Sequence, residues 1–119
     1  MVAPALLLEQ DGPIALLTFN RPDNRNALDA ELMVPLADAW DVIRVTSNIK
    51  AVLLTGTNGI FSTGPTAEDL RRSFQRPSFY PSTDAEQQLW KDPEILDRAL
   101  LRHEDLPVPL VMAVEGLCF

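Results

Sequence analysis

Three short apolar runs, Ile14 to Phe19, Ala51 to Thr55 and Leu110 to Val114, are set apart by stretches long enough to hold helices, and this spacing constrains the chain most. Ahead of the first run, Leu6 and Leu8 alternate with other residues and lead into Asp11-Gly12-Pro13, so the opening reads as a β-hairpin. Between the first and second runs, Leu32, Leu36, Ala39, Trp40 and Ile43 recur at helical steps behind Asp29, a plausible N-cap. Pro35 falls inside that helix, where it removes a backbone donor and is expected to interrupt and kink it.

Between the second and third runs the pattern predicts a short helix over Ala67 to Phe74, then a Pro- and Ser-rich excursion over Arg76 to Thr83. A second helix opens at Asp92-Pro93 and extends to about His103, with Ile95, Leu96, Ala99 and Leu100 on one side. Pro107 and Pro109 then force extension into Leu110 to Val114. Strand, strand, helix, strand, short helix, helix, strand is an α/β order, which implies a largely parallel sheet with right-handed crossovers. The runs at Ala51 and Leu110 read as strands buried on both faces.

A chain of 119 residues has room for one core, and 46% hydrophobic with 23% charged residues places it among ordinary globular domains. Its apolar runs are far shorter than the roughly 20 residues a membrane helix needs. Met1 to Gln10 lacks the basic start and long apolar stretch of a secretory leader, so a cytoplasmic protein without a membrane partner is expected. A formal charge of −7 leaves too little Lys and Arg for a nucleic-acid surface. Cys118 is the single cysteine and, in an apolar context, reads as a small packing residue.

Three segments, in one order along nearly the whole chain, resemble the crotonase superfamily, the enoyl-CoA hydratase/isomerase family. IALLTFNRPDNRNAL, Ile14 to Leu28, is similar to that family's strand followed by N-R-P and N-A-L. AVLLTGTNGIFSTG, Ala51 to Gly64, is similar to its buried strand, L-T-G turn and phenylalanine leading to a glycine. LPVPLVMAVEG, Leu106 to Gly116, is similar to P-K-P-V-I-A-A-V-N-G, with valine for the lysine and glutamate for the asparagine.

The resemblance implies an α/β fold in which β-β-α units wind into a spiral, with residues 1–119 as the N-terminal part of one such domain. The segments that carry the family's acid/base carboxylates and C-terminal helices have no counterpart in these residues. Completion by a second chain or by further polypeptide is therefore expected, with a compact free-standing variant ranked last. Left alone, the edge from Leu110 to Val114 and the stripe of Leu32, Leu36 and Trp40 are expected to be partly unburied.

The resemblance also implies an enzyme of fatty acid metabolism that acts on an acyl-CoA thioester, or a carrier-bound one, by hydration or isomerisation. It needs no cofactor besides the coenzyme A of its substrate, binds no metal, and assembles as a homo-trimer or hexamer once complete. Two backbone N–H groups would stabilise the enolate charge, one from the residue after Gly64 and one from just beyond Phe119. Such donors, fixed before the charge appears, are each worth about 10²–10³ in rate. The residue after Gly64 is Pro65, which has no N–H. Gly64 and Asp69-Leu70 are separated by Pro65-Thr66-Ala67-Glu68, three residues more than the family pattern, so the donor can shift to Thr66 or a later amide. A non-catalytic binding or assembly protein is the alternative.

Arg25, Asn26, Ala27 and Leu28 match the family loop that contacts coenzyme A, and an arginine there suits a phosphate, although a solvated arginine explains Arg25 equally well. Arg71 and Arg72 offer a second cationic pair but read more simply as a solvated surface. His103, expected at a helix end beside Glu104 and Asp105, reads as structural. Glu68, Asp69 and Glu86 read first as capping or surface carboxylates. Ser62 lacks a nucleophile motif, and Gly56 and Gly59 read as turn glycines.

Overall fold

In the computed structural model, residues 3–65 and 81–119 are described. The helix expected over Ala67 to Phe74, the excursion up to Tyr80, and Thr66, Glu68, Asp69, Arg71 and Arg72 all lie outside the described residues.

Four strands form one sheet in the order β1 (Leu6–Asp11), β2 (Ile14–Phe19), β3 (Ala51–Gly56), β4 (Leu110–Met112). β1 and β2 make the expected antiparallel hairpin, with Leu8 opposite Leu17, and Gly12 turns it at φ 57°. β3 joins β2 in parallel, with Leu17 beside Leu54, and β4 joins β3 in parallel, with Leu54 beside Met112. Both parallel pairings require crossovers, and the helices supply them.

Helix α1 (Ala30–Val45) is the first crossover, and Asp29 caps it by accepting from the Leu32 N–H at 3.3 Å. It continues through Pro35 to Val45, so the expected interruption is absent. Leu32, Met33, Leu36, Trp40 and Ile43 are buried together with Ala15, Leu17, Phe19, Val52 and Leu54 of the sheet. Burying side chains of this size at 1.5–3 kcal/mol each, by about 25 cal/mol per Å², makes this the main apolar contribution to the fold.

The second crossover differs from the sequence reading. Helix α2 (Asp84–Lys91) precedes Asp92 and opens on a capping box in which Thr83 accepts from the Glu86 N–H and Glu86 accepts from the Thr83 N–H. Helix α3 (Glu94–Ala99) follows and stops well before His103, because Leu101 turns left-handed at φ 53°. His103 is therefore exposed in the turn beyond the helix and not at its C-terminus. α1 contacts both α2 and α3, and the Trp40 indole N–H donates to the Ala99 carbonyl at 2.9 Å. These helices cover the Leu32, Leu36 and Trp40 stripe, which is at most 4% exposed, contrary to the expectation that it would be partly unburied.

The sheet buries one face. On β3 only Val52 and Leu54 are buried, while Ala51 and Leu53 on the opposite face are half-buried, which corrects the reading of a strand covered on both sides. β4 is shorter than expected and not buried on both faces, and its edge is open as anticipated for these residues alone: Leu110 is half-buried, and Val111, Met112 and Val114 are each more than half exposed. Cys118 is exposed as well and is not a packing residue among these atoms. No helix among the described residues is long and apolar enough to cross a membrane.

Candidate functional site

The end of β3 feeds a turn whose next residues, Phe61 to Gly64, lie between two other segments. On one side runs the loop Asn20 to Asp29; on the other, Leu117 to Phe119.

The loop holds its shape through its own polar groups. Pro22–Asn24 makes a single 3₁₀ turn, and the amides of Asn24, Arg25, Asn26 and Ala27 all donate to carbonyls between Arg21 and Asn24. Arg25 and Asn26 are both left-handed, at φ 52° and 51°, a conformation that costs an L-residue roughly 1–2 kcal/mol. Asn26 offsets that cost. Its side chain is fully buried, Oδ1 accepts from the Arg21 N–H at 2.7 Å, and Nδ2 donates to the Ile60 carbonyl at 2.9 Å. At the loop's far end Asp29 accepts from the Arg21 guanidinium and from Asn24 Nδ2 while capping α1. Arg25 projects outward and is exposed, Ala27 is buried, and Leu28 is half-buried.

The turn is stitched to this loop residue by residue. Thr63 N–H donates to the Arg25 carbonyl at 3.2 Å, Leu28 N–H donates to the Gly64 carbonyl at 3.0 Å, and Ser62 Oγ donates to the Asn26 carbonyl at 2.7 Å. On the other side Phe61 N–H and Ser62 N–H both donate to the Leu117 carbonyl, and Phe119 N–H donates to the Ser62 carbonyl at 3.0 Å. Gly64 sits at φ 74°, a backbone that favours glycine, and a Cβ there would lie 3.1 Å from the Phe119 carbonyl oxygen and press it aside by a few tenths of an ångström.

The structure thus brings together the residues that sequence reading singled out: Arg25 to Leu28, Gly64 with Pro65, and Phe119 converge on one spot. Each amide from Phe61 to Gly64 is already committed, the last to Ser62 Oγ at 3.0 Å. Pro65 follows, exposed and without an N–H. Any amide that this turn offers to a ligand therefore comes after Pro65, and Thr66, the residue named for that role, lies outside the described residues.

Glu86 lies on α2 and His103 beyond the end of α3. Glu86 closes the α2 capping box and also accepts from Ser82 N–H at 2.7 Å and Ser82 Oγ at 2.9 Å. Sequence reasoning assigned nothing to Ser62 and saw in Asn26 only a ligand-contacting residue. The buried bonds that both make were signalled only by two polar residues beside apolar ones, Asn26-Ala27-Leu28 and Phe61-Ser62. Among the described residues no cluster of His, Cys, Asp and Glu is arranged to hold a metal.

A family profile described as enoyl-CoA hydratase/isomerase matches residues 9–119. Enoyl-CoA hydratase EchA19 of Mycobacterium tuberculosis is 36% identical over 113 residues, which cover 95% of this chain and 40% of that protein. Among solved structures, an enoyl-CoA hydratase/isomerase from Xanthobacter autotrophicus Py2 superposes with a TM-score of 0.69 at 30% identity, covering 96% of this chain and 39% of that one. An enoyl-CoA hydratase/carnithine racemase from Magnetospirillum magneticum superposes with a TM-score of 0.72 at 25% identity, covering 97% and 40%. The chain spans about 40% of the length of EchA19 and of the Magnetospirillum protein. With its mixed sheet, its crossover helices and these matches along almost its whole extent, the chain belongs to the enoyl-CoA hydratase/isomerase family, in the crotonase superfamily.

Proposed function

We propose that this chain supplies the N-terminal part of a domain that hydrates, dehydrates or isomerises an acyl thioester of coenzyme A or of a carrier. The observation that carries this reading is the convergence of the Arg25–Leu28 loop, the Gly64 turn and Phe119 on one place, all pinned by main-chain bonds. A thioester carbonyl bound there gains negative charge as its α-carbon loses a proton or as water adds to its β-carbon, and gives that charge up when the α-carbon is protonated. Amides already fixed in place stabilise that charge without reorganising.

In this reading the donor on the Gly64 side is an amide between Thr66 and Leu70, because the amides before Pro65 are occupied. The second donor comes from polypeptide beyond Phe119. Coenzyme A lies against the Arg25–Leu28 loop. With Asn26 and Ala27 buried and the loop amides bonded internally, the contact is made chiefly by the exposed Arg25 guanidinium with a phosphate. The chemistry needs neither metal nor redox cofactor, since proton transfer and enolate stabilisation suffice. A cytoplasmic setting and a trimer or hexamer of complete domains belong to the same proposal. Calorimetry on the complete protein tests it: a CoA thioester should bind with higher affinity than free coenzyme A, and absence of thioester binding would exclude this function.

One observation favours a second reading, a binding or assembly protein without catalysis: Pro65 occupies the position of a family donor. Replacing Pro65 with alanine separates the two. An enzyme with a shifted donor keeps or loses rate, whereas a silenced site gains activity from none.

A further inference from the structure

We propose that Ser62 is the positioning residue of this site. Its side chain locks the Arg25–Leu28 loop to the Gly64 turn, while its main chain holds the Leu117–Phe119 segment at a fixed distance. The inference rests on the acyl-thioester reading above and adds to it the residue that sets the separation of the two segments from which oxyanion donors emerge.

Ser62 is 3% exposed and uses its hydroxyl in both directions: Oγ donates to the Asn26 carbonyl at 2.7 Å and accepts from the Gly64 N–H at 3.0 Å. Its own N–H donates to the Leu117 carbonyl at 3.2 Å, and its carbonyl accepts from Phe119 N–H at 3.0 Å. Among the described residues, Ser62 is the one bonded to all three segments. Thr63 and Leu28 add further ties between loop and turn but do not reach Leu117 to Phe119.

Gly64 has no side chain and a left-handed backbone, so little in the residue itself fixes the direction in which the chain leaves it. The Ser62 hydroxyl supplies that constraint by holding the Gly64 N–H. Pro65 makes the constraint consequential, because the first available amide is at least one residue further along and inherits any rotation at Gly64. A misplacement of about 1 Å at a reacting centre is enough to cost two orders of magnitude in rate. A Ser62 that only filled space would affect stability and leave ligand discrimination unchanged.

The test compares wild type, Ser62→Ala and Ser62→Thr in the complete protein, using free coenzyme A and a 3-oxoacyl-CoA whose enolate demands the oxyanion donors. For Ser62→Ala the affinity for free coenzyme A should stay within about twofold, because the Arg25–Leu28 loop keeps the bonds that shape it without Ser62, while affinity for the 3-oxoacyl-CoA falls about tenfold or more through misplacement of the donor beyond Pro65. Ser62→Thr, which keeps the hydroxyl, should recover most of that loss. Amide hydrogen exchange provides an activity-independent readout: in Ser62→Ala the Gly64 and Leu28 amides should both exchange about tenfold faster.

Equal losses for the two ligands, no loss for either, or no recovery in Ser62→Thr would overturn the proposal. Acceleration at Gly64 alone would do the same, since the loop would then not be locked through Ser62. If wild type shows no preference for the 3-oxoacyl-CoA over coenzyme A, the thioester reading fails by itself, and exchange at Gly64 and Leu28 decides whether Ser62 locks the turn.

Discussion

The loop Asn20 to Asp29 and the strip Leu110 to Phe119 flank the same glycine, but they are held there by opposite means. The loop is polar and contains one of the most completely buried side chains, Asn26, whose amide oxygen and nitrogen both have partners. The strip is apolar and open: Val111, Met112 and Val114 are more than half exposed, Phe119 is 82% exposed, and the strip is attached by main-chain pairing to β3 and to Ser62. One wall of the site is therefore rigid through side-chain bonds that water cannot compete for. The other is tethered by its backbone and presents apolar side chains outward, in a chain that spans about 40% of the length of EchA19.

This contrast can be broken or sharpened by substitution. The largest effect is expected at Asn26→Ala, which leaves the Arg21 N–H and the Ile60 carbonyl without their partner. At about 1–3 kcal/mol for each unpaired group, the unfolding free energy measured by urea titration should fall by about 2–6 kcal/mol. Gly64→Ala comes next: a left-handed alanine costs roughly 1–2 kcal/mol, and its Cβ presses on the Phe119 carbonyl, so weaker thioester binding should accompany the loss of stability. Arg25→Gly should leave stability unchanged or raise it by up to about 1 kcal/mol, because it relieves a left-handed arginine, while coenzyme A affinity falls. The smallest change is expected on the strip. Val111→Thr at an exposed strand position should shift stability by no more than about 0.5 kcal/mol, and a loss as large as that at Asn26 would mean the strip is not open as described.

The same two regions explain what the sequence could and could not convey. Where a segment's partners are close in the chain, its role was readable: the Asp11-Gly12-Pro13 turn, the Asp29 cap and the apolar face of α1 all formed as expected. Thr83-Asp84-Ala85-Glu86 carried the signature of a helix start that the Pro- and Ser-rich stretch before it obscured, and α2 begins there. Asn26 and Ser62 were harder to place, because a buried polar residue is legible only once its partner is known. Those partners, Ile60 for one and Asn26 for the other, lie more than thirty residues away. The exposure of Leu110 to Val114 illustrates the converse: hydropathy signals that a strand is suited to burial and not which polypeptide buries it. The coverage of Trp40 was missed for the related reason that the sequence did not convey which helix packs on α1: its indole N–H meets the Ala99 carbonyl of α3, far along the chain.

The account's central claim is that a backbone amide beyond Pro65 meets a thioester oxygen. Amide chemical shifts of Thr66 through Leu70, followed while the complete protein is titrated with a 3-oxoacyl-CoA, test it most directly. The prediction is a large downfield shift of at least one of these amide protons at saturation, absent with free coenzyme A. If the thioester saturates the protein and none of these amides responds, the claim is wrong.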